Sequence, residues 1–222
     1  MNRVLITGTS RGLGKVAAEA FLEAGAEVTA ISRSEVDFLH LVERWKYNFP
    51  EVDVVIHCAG GGMGLKLPLI SARSFHDLFL VNLAGAAEIN RIVIPGMQTR
   101  GYGRVIHICS IASGEAVGSV GYNTVKAALA AYVRSLGREM APYGVVVSGI
   151  APGGFQCPGN AMERLETTNP EAYKEFIEKR LPRGFMGKAE EIIPLLKFLV
   201  SDQASMMGGC VVPIDAGEGH YY

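Results

Sequence analysis

Short runs of β-branched and aliphatic residues alternate along the chain with longer stretches in which apolar residues recur every three or four positions. Val4-Leu5-Ile6 is the first such run and stops at a glycine-rich turn, after which Lys15 to Glu23 carries helical spacing up to a stop at Gly25. The same rhythm predicts strands at Glu27–Ser32, Val52–Ile56, Arg104–Cys109, Val145–Ile150 and Cys210–Ile214, and helices at Ser74–Gln98, Tyr122–Ala141 and Ala189–Ser201. Strands separated by helices need crossover connections, and crossovers build parallel sheets covered on both faces. The expected fold is therefore α/β, a three-layer, doubly wound parallel sheet in a single domain over residues 1–222.

Two stretches break the rhythm. Only 19 residues separate Arg33 from Asp53, room for a stub strand near Val36 and one helix from Phe38 to Tyr47. The other, residues 154–188, holds three prolines and two short helical segments, Ala161–Leu165 and Glu171–Leu181. A long insertion beyond a strand's C-terminal end is where a substrate-binding lid is expected.

Composition narrows the function classes. With 49% hydrophobic and 19% charged residues and 27 glycines, the chain has the material for a buried, turn-rich domain and not for a disordered one. Its net charge of -1, from 21 basic and 22 acidic side chains, gives no footprint for nucleic acid or an anionic membrane. No apolar run reaches the about 18 residues of a membrane span, and Asn2-Arg3 leads into a short strand instead of a leader segment, so a cytoplasmic protein is expected. Cys58, Cys109, Cys157 and Cys210 lie far apart without metal-ligand spacing, and buried reduced thiols are expected, with no metal.

Candidate chemistry begins at Thr7-Gly8-Thr9-Ser10-Arg11-Gly12-Leu13-Gly14, between the first strand and the first helix. Glycines let backbone approach a pyrophosphate, and the helix N-terminus offers unpaired N–H groups and a favourable dipole. Gly8, Ser10, Arg11, Gly12, Leu13 and Gly14 are thus candidate dinucleotide contacts. The second strand ends Ile31-Ser32-Arg33, where an NAD enzyme would carry a ribose-reading carboxylate. A guanidinium cannot accept from ribose hydroxyls but pairs bidentately with a 2′-phosphate, so Arg33 with Arg11 favours NADP(H) over NAD(H). The alternative stays open that both arginines are solvated and Glu35 or Asp37 contacts the ribose. Asp37 is expected at the end of the stub strand, beside the adenine.

Tyr122 and Lys126 stand four apart on a predicted helix and share one face. Such a pair alone is weak, but Ser110 closes the strand before it and Asn82 lies in the long helix before that. Ser, Tyr and Lys in this order behind a glycine-rich first turn resemble the short-chain dehydrogenase/reductase family, whose Asn-Ser-Tyr-Lys tetrad they match residue by residue. The likeness extends to TGTSRGLG, to Asp53-Val54-Val55-Ile56-His57-Cys58-Ala59-Gly60 where the family has a strand ending NNAG, to Ala151-Pro152-Gly153-Gly154-Phe155 where it has a PG turn, and to the closing Gly208-Gly209-Cys210-Val211-Val212-Pro213-Ile214-Asp215.

The resemblance implies a Rossmann fold and the interconversion of a carbonyl and a secondary alcohol on a small molecule by hydride transfer. Tyr122 would be the general acid/base; a free phenol, with pKa about 10, needs the neighbouring Lys126 ammonium to work near neutrality. Lys126 would also hold the nicotinamide ribose, Ser110 would bind the substrate oxygen, and Asn82 would anchor a water linking Lys126 to solvent. Cys58, Ala59 and Gly60 would line the adenosine half, and Pro152, Gly153 and Phe155 the nicotinamide. A homodimer or homotetramer through the helices holding Asn82 and Tyr122 is implied as well. The chain departs from the pattern at His57 and Cys58 and, around the PG turn, at Ser148 and Cys157. His57 reads as a satisfied core histidine, and Cys157 as passive. A dehydratase or epimerase with bound cofactor, or a cofactor-binding scaffold without turnover, are the alternatives.

Overall fold

A computed structural model describes residues 3–40 and 49–220. In chain order the strands are β1 (Arg3–Thr7), β2 (Glu27–Ile31), β3 (Val54–His57), β4 (Gly103–Ile108), β5 (Val145–Pro152), β6 (Phe155–Gln156), β7 (Gly187–Lys188) and β8 (Val211–Ile214). The α-helices are α1 (Gly12–Glu23), α2 (Ala72–Phe79), α3 (Gly85–Arg100), α4 (Val120–Met140), α5 (Ala161–Thr168), α6 (Pro170–Arg180) and α7 (Ile193–Leu199). Six strands pair in parallel in the order β2-β1-β3-β4-β5-β8, while β6 and β7 form a separate small ribbon.

Side chains alternate across a strand, so neighbouring residues enter different layers. Val4, Ile6, Val54, Ile56, Ile106 and Ile150 pack with Leu13, Ala17 and Phe21 of α1 and Leu196 and Leu199 of α7. Leu5, Val55, Val105 and Val147 point the other way, against Ile89, Val93, Ile94 and Met97 of α3. Both faces are covered, which is why the strands read as unbroken apolar runs. Leu5 and Ile6 are fully buried; truncating either to Ala costs about 2–5 kcal/mol. Beyond β2 the chain crosses back over β1 to β3, so the strand order reverses between β1 and β3. In open α/β sheets, ligands bind outside the carboxyl ends of the strands at such a reversal.

Several expectations need correction. No strand forms near Val36: residues 33–35 make a turn, and Asp37 is not at a strand end but caps a short 3₁₀ turn, Phe38–His40, accepting the Leu39 N–H at 3.0 Å. The rest of the helix expected to Tyr47 lies outside the described residues. The helix expected at Ser74–Gln98 is three pieces, α2, a π-helical turn at Leu80–Ala84, and α3. The helix expected from Ala189 is a 3₁₀ turn, Ala189–Glu191, followed by the short α7. Against the expectation that no apolar run reaches the length of a membrane span, the stretch Ala72–Arg100 is long and apolar enough to cross one by length and composition. Its apolar side is largely spent on the sheet.

Candidate active site

The glycine-rich turn leaves β1 at the reversal point and runs into α1. Gly8 has φ +76°, and a Cβ there would lie 2.7 Å from the Ala59 backbone nitrogen. A Cβ on Gly14 would lie 2.3 Å from the Gly8 carbonyl oxygen. Turn, helix and β3 end therefore meet backbone to backbone, which only glycine permits. Arg11 begins α1 in an extended conformation without a side-chain cap, and the helix's first turn holds no acid. No acid offsets its dipole, a setting that favours an anion. Leu13 and Gly14 are buried in this junction, while Ser10 and Arg11 are exposed.

The segment after β5 lies on top of this turn. The Gly12 N–H donates to the Pro158 carbonyl at 3.0 Å, the Cys157 sulfur sits 3.7 Å from where a Gly12 Cβ would be, and Gly159 lies against the Arg11 side chain. Burial pushes the Cys157 thiol up to about 11 and the Cys58 thiol up to about 12, so both stay protonated near neutrality. All four cysteines are free; Cys109 and Cys157 are buried, but Cys58 and Cys210 only half-buried.

At the end of β2, Arg33 is exposed and pairs with Asp37 at 3.9 Å. Glu35 folds back over the strand end, accepting from the Ser32 N–H at 2.7 Å, from the Ser32 hydroxyl, and from the Ser34 hydroxyl at 2.9 Å. These bonds, the Ser32 hydroxyl foremost, hold its carboxyl down at about 2. A carboxylate thus occupies an anion-binding nest beside Arg33.

The second half of the site forms where β3, β4 and α4 converge. Lys126, only 4% exposed, donates to the Ile108 carbonyl at 2.7 Å, and its ammonium lies 5.7 Å from the centre of the Tyr122 ring one helical turn away. Among the described residues no carboxylate forms an ion pair with Lys126. Two residues past Ile108, Ser110 caps the 3₁₀ turn Ile111–Ser113, which packs along α4; its Oγ accepts the Ala112 N–H at 3.2 Å. That leaves the hydroxyl proton available to a ligand. Tyr122 is half-buried, its ring against Gly62 and Gly118.

Asn82 explains the π turn. Its amide N–H groups donate to the Leu78 carbonyl at 2.9 Å and the Gly61 carbonyl at 3.0 Å, and its Oδ1 accepts the Gly61 N–H at 2.9 Å. A side chain inserted into its own helix's hydrogen-bond ladder widens that turn. It also fixes Gly60 and Gly61, placing Gly60 against both Asn82 and Lys126. Pro152 is buried at the end of β5, followed by half-buried Gly153 and Phe155. The structure thus brings Gly60, Asn82, Tyr122 and Lys126 together with the strand end that carries Ser110; Gly8 to Gly14 and Ala59 lie at the neighbouring strand end, and Arg33 and Asp37 at the rim.

Sequence reasoning missed a buried polar network behind this site. His57 and His107 are register partners on β3 and β4 and stack with ring centroids 4.6 Å apart. Asn90 bridges them, 2.9 Å from His57 Nε2 and 3.2 Å from His107 Nε2, and donates to the Tyr132 hydroxyl at 3.1 Å. Among the described residues neither Nδ1 has a hydrogen-bond partner, so His57 is a core histidine only half satisfied there. The signal was available: both histidines occupy the same inward-facing register of adjacent strands.

A parallel sheet with a glycine-rich turn at its reversal point and a Ser, a Tyr and a buried Lys at the adjacent strand ends defines a dinucleotide-dependent oxidoreductase. The family model described as Enoyl-(Acyl carrier protein) reductase matches residues 33–218, and the chain belongs to the short-chain dehydrogenase/reductase family. It is 28% identical over 227 residues to 2-dehydro-3-deoxy-L-rhamnonate dehydrogenase (NAD(+)) of Sphingomonas sp., covering 90% of this chain and 88% of that protein. It is 29% identical over 239 residues to 3-oxoacyl-acyl-carrier-protein reductase FabG of Salmonella typhimurium, covering 96% and 95%. The fold superimposes on levodione reductase with a TM-score of 0.84 at 26% identity, covering 100% of this chain and 98% of that one. These relatives are dehydrogenases and reductases, and the chain is an oxidoreductase of the type that acts on CH–OH and carbonyl groups.

Proposed function

We propose that the protein interconverts a carbonyl and a secondary alcohol with NADP(H), Tyr122 acting as general acid/base. The observation that carries the reading is the buried Lys126 ammonium, one turn from Tyr122 and without an acidic partner among the described residues. An unpaired buried charge is costly, and its place beside Tyr122 suits a site where negative charge develops during the reaction. The uncapped, acid-free start of α1 and its glycine junction fit a dinucleotide pyrophosphate.

The nicotinamide group, when bound, supplies or takes the hydride. Tyr122 gives its phenolic proton to the substrate oxygen, and the Lys126 ammonium stabilises the phenolate left behind. Ser110 donates a second hydrogen bond to the same oxygen where negative charge develops. Lys126 can also hold ribose hydroxyls. Both N–H groups of the Asn82 amide are committed to carbonyls, so its main contribution is to hold the Gly60–Gly61 segment and the π turn in place, with any relay water lying nearby. Residues 154–188 act as the lid; the segment at Pro158 must lift from Gly12 to admit the cofactor.

The preference for NADP(H) rests on the exposed Arg33 and Arg11; Arg33 would exchange its 3.9 Å contact with Asp37 for a 2′-phosphate, with Glu35 turning away from the strand end. NADPH should give the higher kcat/KM across a panel of ketones and aldehydes. Arg33→Ala should reduce that advantage by about ten-fold, the worth of a charge-assisted contact, and Glu35→Gln should increase it. Preference for NADH, or indifference to Arg33→Ala, overturns the cofactor assignment. We further propose a cytoplasmic homodimer or homotetramer. An apolar groove of about 310 Å³ between α2 and α4, lined by Phe75, Phe79, Val125 and Ala128 beside exposed Val120, is the face we assign to self-association; light scattering reads the mass directly.

A further inference from the structure

The described residues after β8 fold back against the PG turn and carry a buried acid, Glu218. The Glu218 side chain is 2% exposed, and both its carboxylate oxygens are used: Oε2 accepts the Gly154 N–H, and Oε1 accepts from Arg180 Nη2 at 2.6 Å. A Cβ on Gly153 would lie 2.7 Å from Oε2, so the PG turn fits closely around this group. Arg180, at the end of α6, lies over the Phe176 ring and donates from Nη1 to the Val117 carbonyl at 3.2 Å. Val117 is followed by Gly118, which donates to Asn123 Oδ1 at 2.9 Å and packs on the Tyr122 ring. The bend itself is braced: Asp215 accepts from the Gly217 and Gly219 N–H groups at 3.0 Å each, and Glu115 accepts from the His220 N–H.

One buried carboxylate thus ties three elements: the PG turn, the proposed lid helix α6, and the loop that backs Tyr122. From this geometry we propose that Glu218 is a positioning residue which, through Arg180, sets the spacing between the lid and Tyr122 and so determines how the carbonyl substrate is seated. It touches no reacting atom in this scheme. Glutamine cannot replace it, because both oxygens accept and an amide would turn a donor toward either Gly154 or Arg180. Burial raises its carboxyl above the ordinary range, and the contacts to Gly154 and Arg180 offset that cost only in part.

The inference rests on the oxidoreductase reading, and its test separates the two. In NADPH-dependent turnover of the best carbonyl substrate, Glu218→Gln and Arg180→Met should each lower kcat/KM by about ten-fold or more, the worth of a charge-assisted hydrogen bond. The loss should appear mainly in the KM for the carbonyl, with NADP+ affinity by calorimetry changed less than two-fold. The double variant should be no worse than the poorer single one, since both break one linkage. Arg180 is partly exposed, so its variant keeps the test open if Glu218→Gln fails to fold. Additive losses, an equal loss of NADP+ affinity, or unchanged kinetics in Arg180→Met overturn the proposal. Hydrogen exchange reads the clasp without turnover: residues 115–118 and 170–180 should lose protection together in Arg180→Met. If the wild type turns over nothing and this joint loss still occurs, the activity reading fails and the clasp stands; exchange confined to α6 removes the clasp.

Discussion

Acid should loosen this protein through its paired core histidines. Burial holds His57 down at about 4 against an ordinary 6.5, and burial, with the neighbouring His57 and Lys126, holds His107 well below its ordinary value. Both are neutral in the folded state, whereas the unfolded chain protonates them near 6.5. The unfolded state therefore binds more protons below that pH, and stability, complete above 6.5, falls as pH drops. Between pH 7.5 and 5 the depressed His57 costs about 1.5 units at 1.36 kcal/mol, or about 2 kcal/mol, and His107 acts in the same direction. That is a large share of a typical stability of 5–15 kcal/mol. Glu218, whose carboxyl burial raises, acts in the opposite sense and trims the total. Urea midpoints followed by circular dichroism at pH 7.5 and pH 5 measure the effect. His57→Asn should lower stability at both pH values yet weaken the pH dependence. A midpoint equal at the two pH values, or the same decline in His57→Asn, would refute the reasoning.

Other consequences follow from close approaches in the site. Gly14→Ala places a methyl 2.3 Å from a backbone oxygen that cannot swing aside; strain of about 1–3 kcal/mol should lower the melting temperature by several degrees and weaken NADP+ binding, both measurable by thermal shift with and without NADP+. Asn82→Ala removes three hydrogen bonds, two of them to Gly61, and should lower kcat more than it raises the cofactor Kd, as steady-state kinetics and calorimetry will show.

Much of this arrangement could be read from residue order. Unbroken apolar runs such as Val54-Val55-Ile56 announced strands covered on both sides, and Gly8, Gly12 and Gly14 announced the turn, because only glycine survives the backbone contacts at Gly8 and Gly14 and readily takes the positive φ at Gly8 and Gly12. Tyr122 and Lys126 were legible because helical geometry converts a spacing of four into adjacency. What stayed hidden depended on distant partners. The π turn exists because Asn82 finds Gly61, and the role of Glu218 exists because Gly154 and Arg180 arrive from other parts of the chain. The expected strand near Val36 failed for a local reason: Asp37 and Glu35 turn their carboxylates onto nearby backbone N–H groups, favouring turns over an extended ladder.

The central claim is that Tyr122 moves the proton while hydride passes between cofactor and substrate. Its most direct measurement compares wild type with Tyr122→Phe in single-turnover oxidation of NADPH by the best carbonyl substrate, followed at the nicotinamide absorbance. Loss of general acid catalysis should slow Tyr122→Phe by at least about 10²-fold, with NADPH bound as tightly as in the wild type. A Tyr122→Phe protein that oxidises NADPH at the wild-type rate would contradict the account.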